Sequence, residues 1–351
     1  MSDDLRILLL ADSHLGFDLP ARPRVERRRR GHDFLANYAA ALQPALMGEV
    51  DLVVHGGDVF DRPSVMPTVA YQALEPLRRV ADRGVPVFIV PGNHERSRIP
   101  HARFASHPRV HVFDRPRTFV AQVRGTRVGL TGFPYERDGV RERFTALLAQ
   151  SEWNSERADL RVLCMHHCAE GATVGPGNYT FTTASDVVRL RDIPPEFSAV
   201  LSGHIHRQQV LTADLSQRQI QTPVLYPGSI ERTSFAEMDE PKGYMVAHIG
   251  RGDGRAQWEF HRLPARPMIR QELVAGCLDP NALDCAVRAI VAAAPADAVL
   301  SIRVVGTLTD AHWSKVSAAY LRTFVPPTMN VGITPLDRFH ERQRSVELPI
   351  H

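Results

Sequence analysis

The chain has 351 residues with a hydrophobic fraction of 44%, which is enough for a sizeable core and for two domains. Its formal net charge is only +3, and its basic residues are arginines except at two positions. No apolar run reaches the length of a transmembrane helix, and Asp3 and Asp4 stand where a signal peptide carries positive charge. These features argue against a membrane protein and predict a cytoplasmic one.

In the first two thirds of the chain, predicted strands alternate with predicted helices. Apolar patterning predicts strands at 6–10, 50–54, 85–90, 127–132, 160–165 and 199–201, and helices at 32–47 and 69–83. Alternation of this kind is typical of a layered α/β domain.

The last third of the chain has a different pattern. Residues 224–263 are predicted to be β-rich, and 264–267 form a predicted linker. Strands are predicted at 268–274, 299–305 and 329–333, and helices at 281–293 and 310–323. We therefore expect a main domain over 1–263, a small α+β cap domain of βαβαβ order over 268–336, and a short C-terminal tail over 337–351.

Five short polar blocks each follow an apolar run. They are Asp12-Ser13-His14, Gly57-Asp58-Val59, Gly92-Asn93-His94-Glu95, His166-His167 and Gly203-His204-Ile205-His206. Loops at the carboxyl ends of strands converge in α/β sheets, so these blocks can meet at one place. Carboxylate, imidazole and amide groups are ligands of divalent cations, and two such ions can clamp the oxygens of a phosphodiester. The blocks therefore predict a two-metal phosphoesterase site.

Local geometry predicts separate roles within the blocks. Asp12 and His14 alternate along a segment that we expect to be extended, so that both side chains point the same way. Two glycines precede Asp58 and allow a tight turn, which suits a carboxylate that bridges two ions. His94 adjoins Asn93 and is expected to point elsewhere, which frees it for acid–base work. Each block alone also fits a turn, a cap or chance, and only the combination favours a metal site.

Within these blocks and beyond them, three segments carry a family resemblance. Asp12-Ser13-His14-Leu15-Gly16, Gly57-Asp58-Val59-Phe60-Asp61 and Tyr226-Pro227-Gly228-Ser229-Ile230-Glu231-Arg232 resemble SbcD-like DNA double-strand-break repair exonucleases. These belong to the calcineurin-like metallophosphoesterase superfamily, and the resemblance covers roughly residues 5 to 263. It implies an α/β fold in the form of a four-layer α/β sandwich. It also implies that this domain holds two divalent metal ions, which would be Mn²⁺.

The resemblance also implies which residues carry the chemistry. One ion would be held by Asp12, His14, Asp58 and His206, and the other by Asp58, Asn93, His166 and His204. His94 resembles the catalytic histidine of the family. The implied activity is exonucleolytic phosphodiester hydrolysis at DNA ends by a metal-bridging hydroxide, in double-strand-break repair. The resemblance leaves open whether the protein also has a single-strand endonuclease activity.

Arginines stand close to the blocks in sequence. A guanidinium can bind a phosphate through two hydrogen bonds, and such contacts position DNA without reading its sequence. The candidates for DNA contact are Arg22, Arg24, Arg27, Arg28, Arg62, Arg96, Arg207 and Arg232. The cluster between residues 22 and 30 is explained equally well as the solvated start of a helix.

The resemblance implies three partners: DNA, an SMC-like ATPase, and a second copy of the chain that binds through residues 69–83. Family members usually continue past the cap into helices that hold the ATPase, and the short tail weakens that expectation. Two rival functions remain. One is a small-molecule phosphodiesterase or phosphatase with the same metal core, and the other is a scaffold subunit of an SMC-like ATPase complex. The ligand types also suit Fe²⁺ or Zn²⁺.

Overall fold

The structure is a computed structural model that describes residues 4–20, 27–155, 157–276 and 278–336. The chain divides into two compact units. Within the described residues, the larger unit contains 4–20 and 31–265, and the smaller contains 27–30 and 266–336. Arg22, Arg24 and the predicted tail lie outside the described residues. In the part that is described, every helix is too short or too polar to cross a lipid bilayer.

The first four helices flank the sheets of the larger unit, and only Arg30, the first residue of α1, is assigned to the smaller unit. They are α1 (Arg30–Ala41), α2 (Gln43–Leu46), α3 (Pro67–Asp82) and α4 (Val140–Gln150). The single helix predicted over 32–47 is therefore two helices. Pro44 lies in the first turn of α2, where its missing N–H is tolerated, whereas inside a continuous helix it would break the hydrogen-bond ladder.

The strands of the larger unit are numbered in chain order. They are β1 (Leu5–Leu10), β2 (Leu52–His55), β3 (Val87–Ile89), β4 (Val110–Val112), β5 (Arg117–Val123), β6 (Thr126–Gly132), β7 (Leu160–Met165), β8 (Cys168–Ala169), β9 (Thr173–Val174), β10 (Tyr179–Thr180), β11 (Val187–Val188), β12 (Ala199–Ser202), β13 (Gln209–Ala213), β14 (Gln219–Tyr226), β15 (Gly243–Ile249) and β16 (Ala256–Arg262).

Two six-stranded mixed sheets form the centre of this unit. The first has the order β16-β15-β1-β2-β3-β4, and the second β13-β14-β12-β7-β6-β5. In the first sheet β1 to β4 are parallel, and β15 pairs antiparallel with β1, with Leu5 opposite Ile249. In the second sheet β6, β7, β12 and β14 are parallel. The parallel strands of each sheet therefore end at a common edge.

The side chains of β1 show how the layers pack. Successive residues of a strand point to opposite faces. Leu5, Ile7 and Leu9 lie in a buried core that also contains residues of the second sheet, whereas Leu8 and Leu10 lie in a core shared with α1 and α3. A third core joins the outer face of the second sheet to α4. The order is helix, sheet, sheet, helix, which confirms the predicted four-layer α/β sandwich.

The smaller unit has the predicted βαβαβ order. Its elements are β17 (Met268–Val274), α5 (Pro280–Ala293), β18 (Val299–Val305), α6 (Asp310–Val316), α7 (Ala318–Leu321) and β19 (Asn330–Leu336). The three strands form a parallel sheet in the order β17-β18-β19, with its own core under the helices. The helix predicted over 310–323 is interrupted at Ser317, which has an extended backbone and caps α7 by accepting a hydrogen bond from Tyr320 N.

Candidate metal centre

Five parallel strands bring the predicted ligands together. Asp12 follows β1, Asp58 follows β2, Asn93 follows β3, His166 follows β7 and His204 follows β12. Because each strand ends at the same edge of its sheet, loops separated by almost two hundred residues meet there. The structure places all seven predicted ligands and His94 in one cluster of contacting side chains.

One part of this cluster, which we call the His206 side, consists of Asp12, His14 and His206. The Nε2 atoms of His14 and His206 are 2.9 Å apart, and His206 Nε2 is 3.8 Å from Asp12 Oδ1. Asp12 and His14 are fully buried. These three side chains each offer a ligand atom, and the ligand atoms lie within 4.8 Å of one another.

The other part, which we call the His166 side, consists of Asn93, His166 and His204. Asn93 Oδ1 is 2.9 Å from His166 Nε2 and 3.0 Å from His204 Nδ1. His166 Nε2 is also 3.3 Å from Asp58 Oδ2. Asp58 groups with His166 and Asp12 and also with His14 and His94. This central place suits a carboxylate that serves both sides.

The backbone at these positions differs from the expected extended form. Asp12, His14, Asp58 and His204 all have positive φ angles, of 50°, 41°, 53° and 77°. The prediction that Asp12 and His14 share a face of an extended segment is therefore wrong, and a left-handed turn directs them into the cluster instead. Non-glycine residues in this region cost conformational energy, which is commonly stored at functional sites.

Two glycines allow the ligands to approach the backbone. A Cβ atom on Gly57 would collide with the ring of His166, and one on Gly92 would collide with the carboxylate of Asp58. Gly57 also has φ +108°, which strongly favours glycine. The glycines of the Gly57-Asp58 and Gly92-Asn93 blocks are thus part of the site because they leave room for its side chains.

Burial and mutual charge determine the protonation of the cluster. Burial raises the pKa of Asp12 above its ordinary value. Burial also opposes ionisation of Asp58, but the charge and hydrogen bond of His166 outweigh it and hold the pKa of Asp58 well below its usual range. For His166, burial disfavours the charged form, yet Asp58 raises its pKa to about 9. Burial, followed by the charge of His206, lowers the pKa of His14 well below its ordinary value.

The donor set fits divalent cations. Two imidazole Nε2 atoms that face each other at 2.9 Å are favourable only when a proton or a cation lies between their lone pairs. His14 Nδ1 is buried and has no hydrogen-bond partner among the described residues, so this ring is not held by protein hydrogen bonds on both sides. Buried carboxylates, imidazoles and an amide oxygen together are ligands for ions such as Mn²⁺, Fe²⁺ or Zn²⁺.

His94 is exposed at the edge of the cluster. Its backbone N–H donates to Asp58 Oδ1 at 3.0 Å, and its Nδ1 lies 2.8 Å from the carbonyl oxygen of Asp61. Its ring lies edge-on to that of His14, with centroids 4.5 Å apart. His94 is thus within reach of the ligand atoms of His14 and Asp58 while facing solvent.

Sequence reasoning missed the residues that contact the Nδ1 atoms of two candidate ligands, His166 and His206. His166 Nδ1 is 2.7 Å from Gly56 O, and His206 Nδ1 is 3.1 Å from Glu237 Oε1. Burial opposes the charge of Glu237, but His206 and Lys242 lower its pKa overall. Tyr135 was also missed, and its ring lies 5.7 Å from that of His204.

The predicted DNA-contacting arginines fall into distinct environments. Arg62 and Arg96 are exposed beside the loops that carry Asp58 and His94. The guanidinium of Arg207 donates to Glu240, Asn178 and Gly175 O, so protein acceptors engage all three of its nitrogens.

The remaining candidates are bound elsewhere or are not described. Arg232 is buried and donates to Glu240 O. Arg27 and Arg28 belong to the smaller unit, where the Arg27 side chain and the Arg28 backbone N–H donate to carbonyls of the loop before β19. They are thus outside the unit that carries the cluster. Arg22 and Arg24 lie outside the described residues.

A four-layer sandwich with carboxylates, an amide and imidazoles at its strand ends defines a metallophosphoesterase. The model of the calcineurin-like phosphoesterase family matches residues 5–208, and the chain belongs to that family. The sequence prediction of this superfamily is thereby confirmed. The family is one of hydrolases with dimetal centres, and candidate ligands for such a centre are present here.

Among the curated relatives, the proteins named DNA double-strand break repair protein Mre11 recur. The one from Thermoplasma acidophilum is 25% identical over 75% of this chain and 66% of its own length. The one from Haloferax volcanii is 33% identical over 70% of this chain and 49% of its own. An uncharacterized metallophosphoesterase, YhaO of Bacillus subtilis, is 24% identical over 75% of this chain and 61% of its own length. The matched part of this chain thus spans 49% to 66% of the length of these relatives.

Proposed function

We propose that this chain is a Mn²⁺-dependent DNA nuclease that hydrolyses phosphodiester bonds at DNA ends during double-strand-break repair. The observation that carries the proposal is the cluster in which Asp58 joins the His206 side to the His166 side. The relatives named for double-strand-break repair favour DNA over a smaller ester. Asp12, His14, Asp58 and His206 would hold one ion, and Asp58, Asn93, His166 and His204 the other.

In this proposal the two ions supply a strong nucleophile at neutral pH and neutralise the charge that develops on the phosphoryl oxygens. The protein would fix the positions of both ions through side chains that are buried, such as Asp12, His14 and Asp58, or half-buried, such as Asn93, His204 and His206. Asp58 shares its negative charge between the two sides, and its Oδ1 also accepts the backbone N–H of His94. The loop that carries His94 is thereby tied to the centre of the cluster.

His94 would act as the acid of the reaction. Its Nδ1 lies at hydrogen-bond distance from the carbonyl of Asp61, and a carbonyl only accepts hydrogen bonds. Nδ1 therefore carries a proton, and the ring turns Nε2 away from that carbonyl. In the charged form Nε2 also carries a proton, which His94 can deliver to the departing 3′-oxygen of DNA. Among the arginines, Arg62 and Arg96 are the exposed candidates to hold the adjoining phosphates.

The proposal extends to the partners that the resemblance implies. A second copy of the chain would bind through α3, on which Tyr71 is an exposed aromatic side chain. An SMC-like ATPase would bind the same chain to form a repair complex. Light scattering of the purified protein, alone and mixed with such an ATPase, tests both partners, and a monomer in both samples would contradict them.

A substrate comparison tests the activity. The purified protein with Mn²⁺ is offered end-labelled duplex DNA, single-stranded DNA and bis-p-nitrophenyl phosphate, beside an Asp58→Asn variant as the matched control. We expect cleavage of labelled DNA that requires Mn²⁺ and is lost in the variant. Hydrolysis of the small ester alone would replace the nuclease with a small-molecule phosphodiesterase. A protein that cleaves neither substrate while binding DNA would favour a scaffold subunit.

A further inference from the structure

The imidazole of His206 is oriented by a buried carboxylate. His206 Nδ1 lies 3.1 Å from Glu237 Oε1, on the side of the ring opposite to Asp12 and His14. An ionised carboxylate only accepts hydrogen bonds, so Nδ1 must carry the proton. The lone pair is then left on Nε2, the atom that faces the rest of the cluster. Glu237 therefore selects the tautomer that a metal ligand needs.

Glu237 is itself fixed by several donors. Its Oε1 accepts from the hydroxyl of Thr233, and its Oε2 accepts from the backbone N–H of Thr233 at 3.3 Å. Oε2 also lies 2.7 Å from Lys242 Nζ. Both carboxylate oxygens are thus engaged from more than one direction, and the carboxylate cannot rotate without breaking a buried hydrogen bond.

Lys242 connects this carboxylate to the backbone of the ligand. Its side chain is fully buried, and its Nζ donates to His206 O at 2.8 Å and lies 3.2 Å from Glu240 Oε2. With Glu237 these make three partners, which matches the three protons of an ammonium group. A buried lysine is costly unless it is paired. Here its contacts hold His206 at its carbonyl directly and at its ring through Glu237.

We propose that Glu237 and Lys242 are positioning residues that build the His206 side of the metal centre. They touch neither substrate nor ion, and they act by fixing the tautomer and the position of one ligand. The proposal rests on the proposed metal centre. It adds that metal binding on the His206 side depends on the charged pair of Glu237 and Lys242. On the His166 side, the corresponding partner is the neutral carbonyl of Gly56.

The test measures Mn²⁺ binding alone, by calorimetric titration of the full chain after removal of bound metal. The variants are Glu237→Ala, Glu237→Gln and Lys242→Met. Glu170→Gln is the matched control, because Glu170 is a similarly covered carboxylate of the same unit that pairs with Arg141 at 2.6 Å. We expect two binding events in the wild type. One of them should weaken by about 10- to 100-fold in Glu237→Ala and Lys242→Met, and by less in Glu237→Gln, which keeps an acceptor oxygen.

A double-variant cycle separates positioning from general stability. If Glu237 acts through His206, adding Glu237→Ala to His206→Ala should cause little further loss of Mn²⁺ affinity. Additive losses would overturn the proposal, and so would unchanged binding in Glu237→Ala and Lys242→Met or an equal loss in Glu170→Gln. If Glu237→Ala does not fold, as judged by its thermal melting without metal, Glu237→Gln and Lys242→Met decide the outcome.

DNA is absent from these titrations, so they are independent of the nuclease assay. A wild-type protein that binds two Mn²⁺ ions, loses one in Glu237→Ala and cleaves no DNA would overturn the proposed function while supporting the positioning role. A wild-type protein that binds no Mn²⁺ would overturn both.

Discussion

The two sides of the candidate metal centre are built by different means. On the His206 side, the ring and the backbone carbonyl of His206 contact Glu237 and Lys242, which are charged side chains more than thirty residues further along the chain. On the His166 side, the ring of His166 contacts the carbonyl of Gly56 and lies against Gly57. Mutation can change or remove a charged side chain, whereas it cannot remove a backbone carbonyl. Substitutions at Glu237 and Lys242 can therefore change the surroundings of His206 by degrees. The contact of His166 with the Gly56 carbonyl is set by the fold.

Asp58 is common to both sides, so its replacement should cause the largest effect. Asp58→Asn keeps the size of the side chain and an acceptor for the His94 N–H but removes the charge near His166. We expect DNA hydrolysis to fall by at least about 1000-fold, because metal ions supply several kcal/mol of transition-state stabilisation. Single-turnover assays measure the rate and titration counts the bound Mn²⁺. Activity within tenfold of the wild type would show that Asp58 does not join the two sides.

His94 belongs to neither side. Its replacement is expected to cause the second largest loss of DNA cleavage. In His94→Gln we expect cleavage to fall by about 100- to 10,000-fold, the range typical of a lost general acid. Both Mn²⁺ binding events should stay intact, because the hydrogen bond to Asp58 Oδ1 comes from the backbone N–H of residue 94 and not from its side chain. Cleavage near the wild-type rate would remove His94 from the mechanism, and a lost binding event would make it a ligand.

The His166 side can be disturbed through Gly57. An alanine there places a Cβ against the His166 ring, and a displacement of about 1 Å can cost about 100-fold in rate. Gly84→Ala is the matched control, because Gly84 also has a positive φ, of +91°, but has open space around its Cβ position. Both variants should lose stability from backbone strain, of about 1 kcal/mol.

Calorimetry distinguishes these two glycine variants. Only Gly57→Ala should lose Mn²⁺ affinity, and the loss should concern the binding event that Glu237→Ala spares. If Gly57→Ala and Glu237→Ala weaken the same event, the division of the centre into two sides is wrong.

The smallest expected effect concerns DNA affinity. Removal of an exposed phosphate-binding arginine lowers the slope of log affinity against log salt by about 1. We expect this for Arg62→Ala and Arg96→Ala, measured by fluorescence anisotropy over a salt series without Mn²⁺. Arg207→Ala should leave the slope unchanged and lower the melting temperature, because its guanidinium binds protein acceptors. A changed slope in Arg207→Ala alone would reverse these assignments.

Sequence patterning predicted the bounds of several strands. The strands β7 and β18, which are largely buried, and β17, which is mostly exposed, all have the predicted bounds. The helices over 32–47 and 310–323 were each predicted as one because their apolar spacing continues across the break. The breaks depend on the missing N–H of Pro44 and on the cap made by Ser317, which are local effects that an averaged pattern does not contain.

The candidate site was predictable in its ligand types and less so in its geometry. Asp12 and His14 could be named because metal chemistry limits the usable side chains, yet their left-handed backbone could not be foreseen from their spacing. Glu237 and Lys242 were missed because their role depends on a loop that folds back onto His206 from 31 residues away or more. A contact between residues so far apart in the chain is set by the tertiary structure, and local sequence patterns do not predict it.

The place of β1 in the first sheet has a consequence for the way the chain is made. Both of its neighbours in the sheet, β2 and β15, come later in the chain, and β15 begins at Gly243. A ribosome adds about 5 to 20 residues per second, so one edge of β1 stays unpaired for roughly 10 to 50 seconds of synthesis. An apolar strand with an open edge is a site of aggregation. Slowed translation before residue 243 should therefore lower the yield of folded protein.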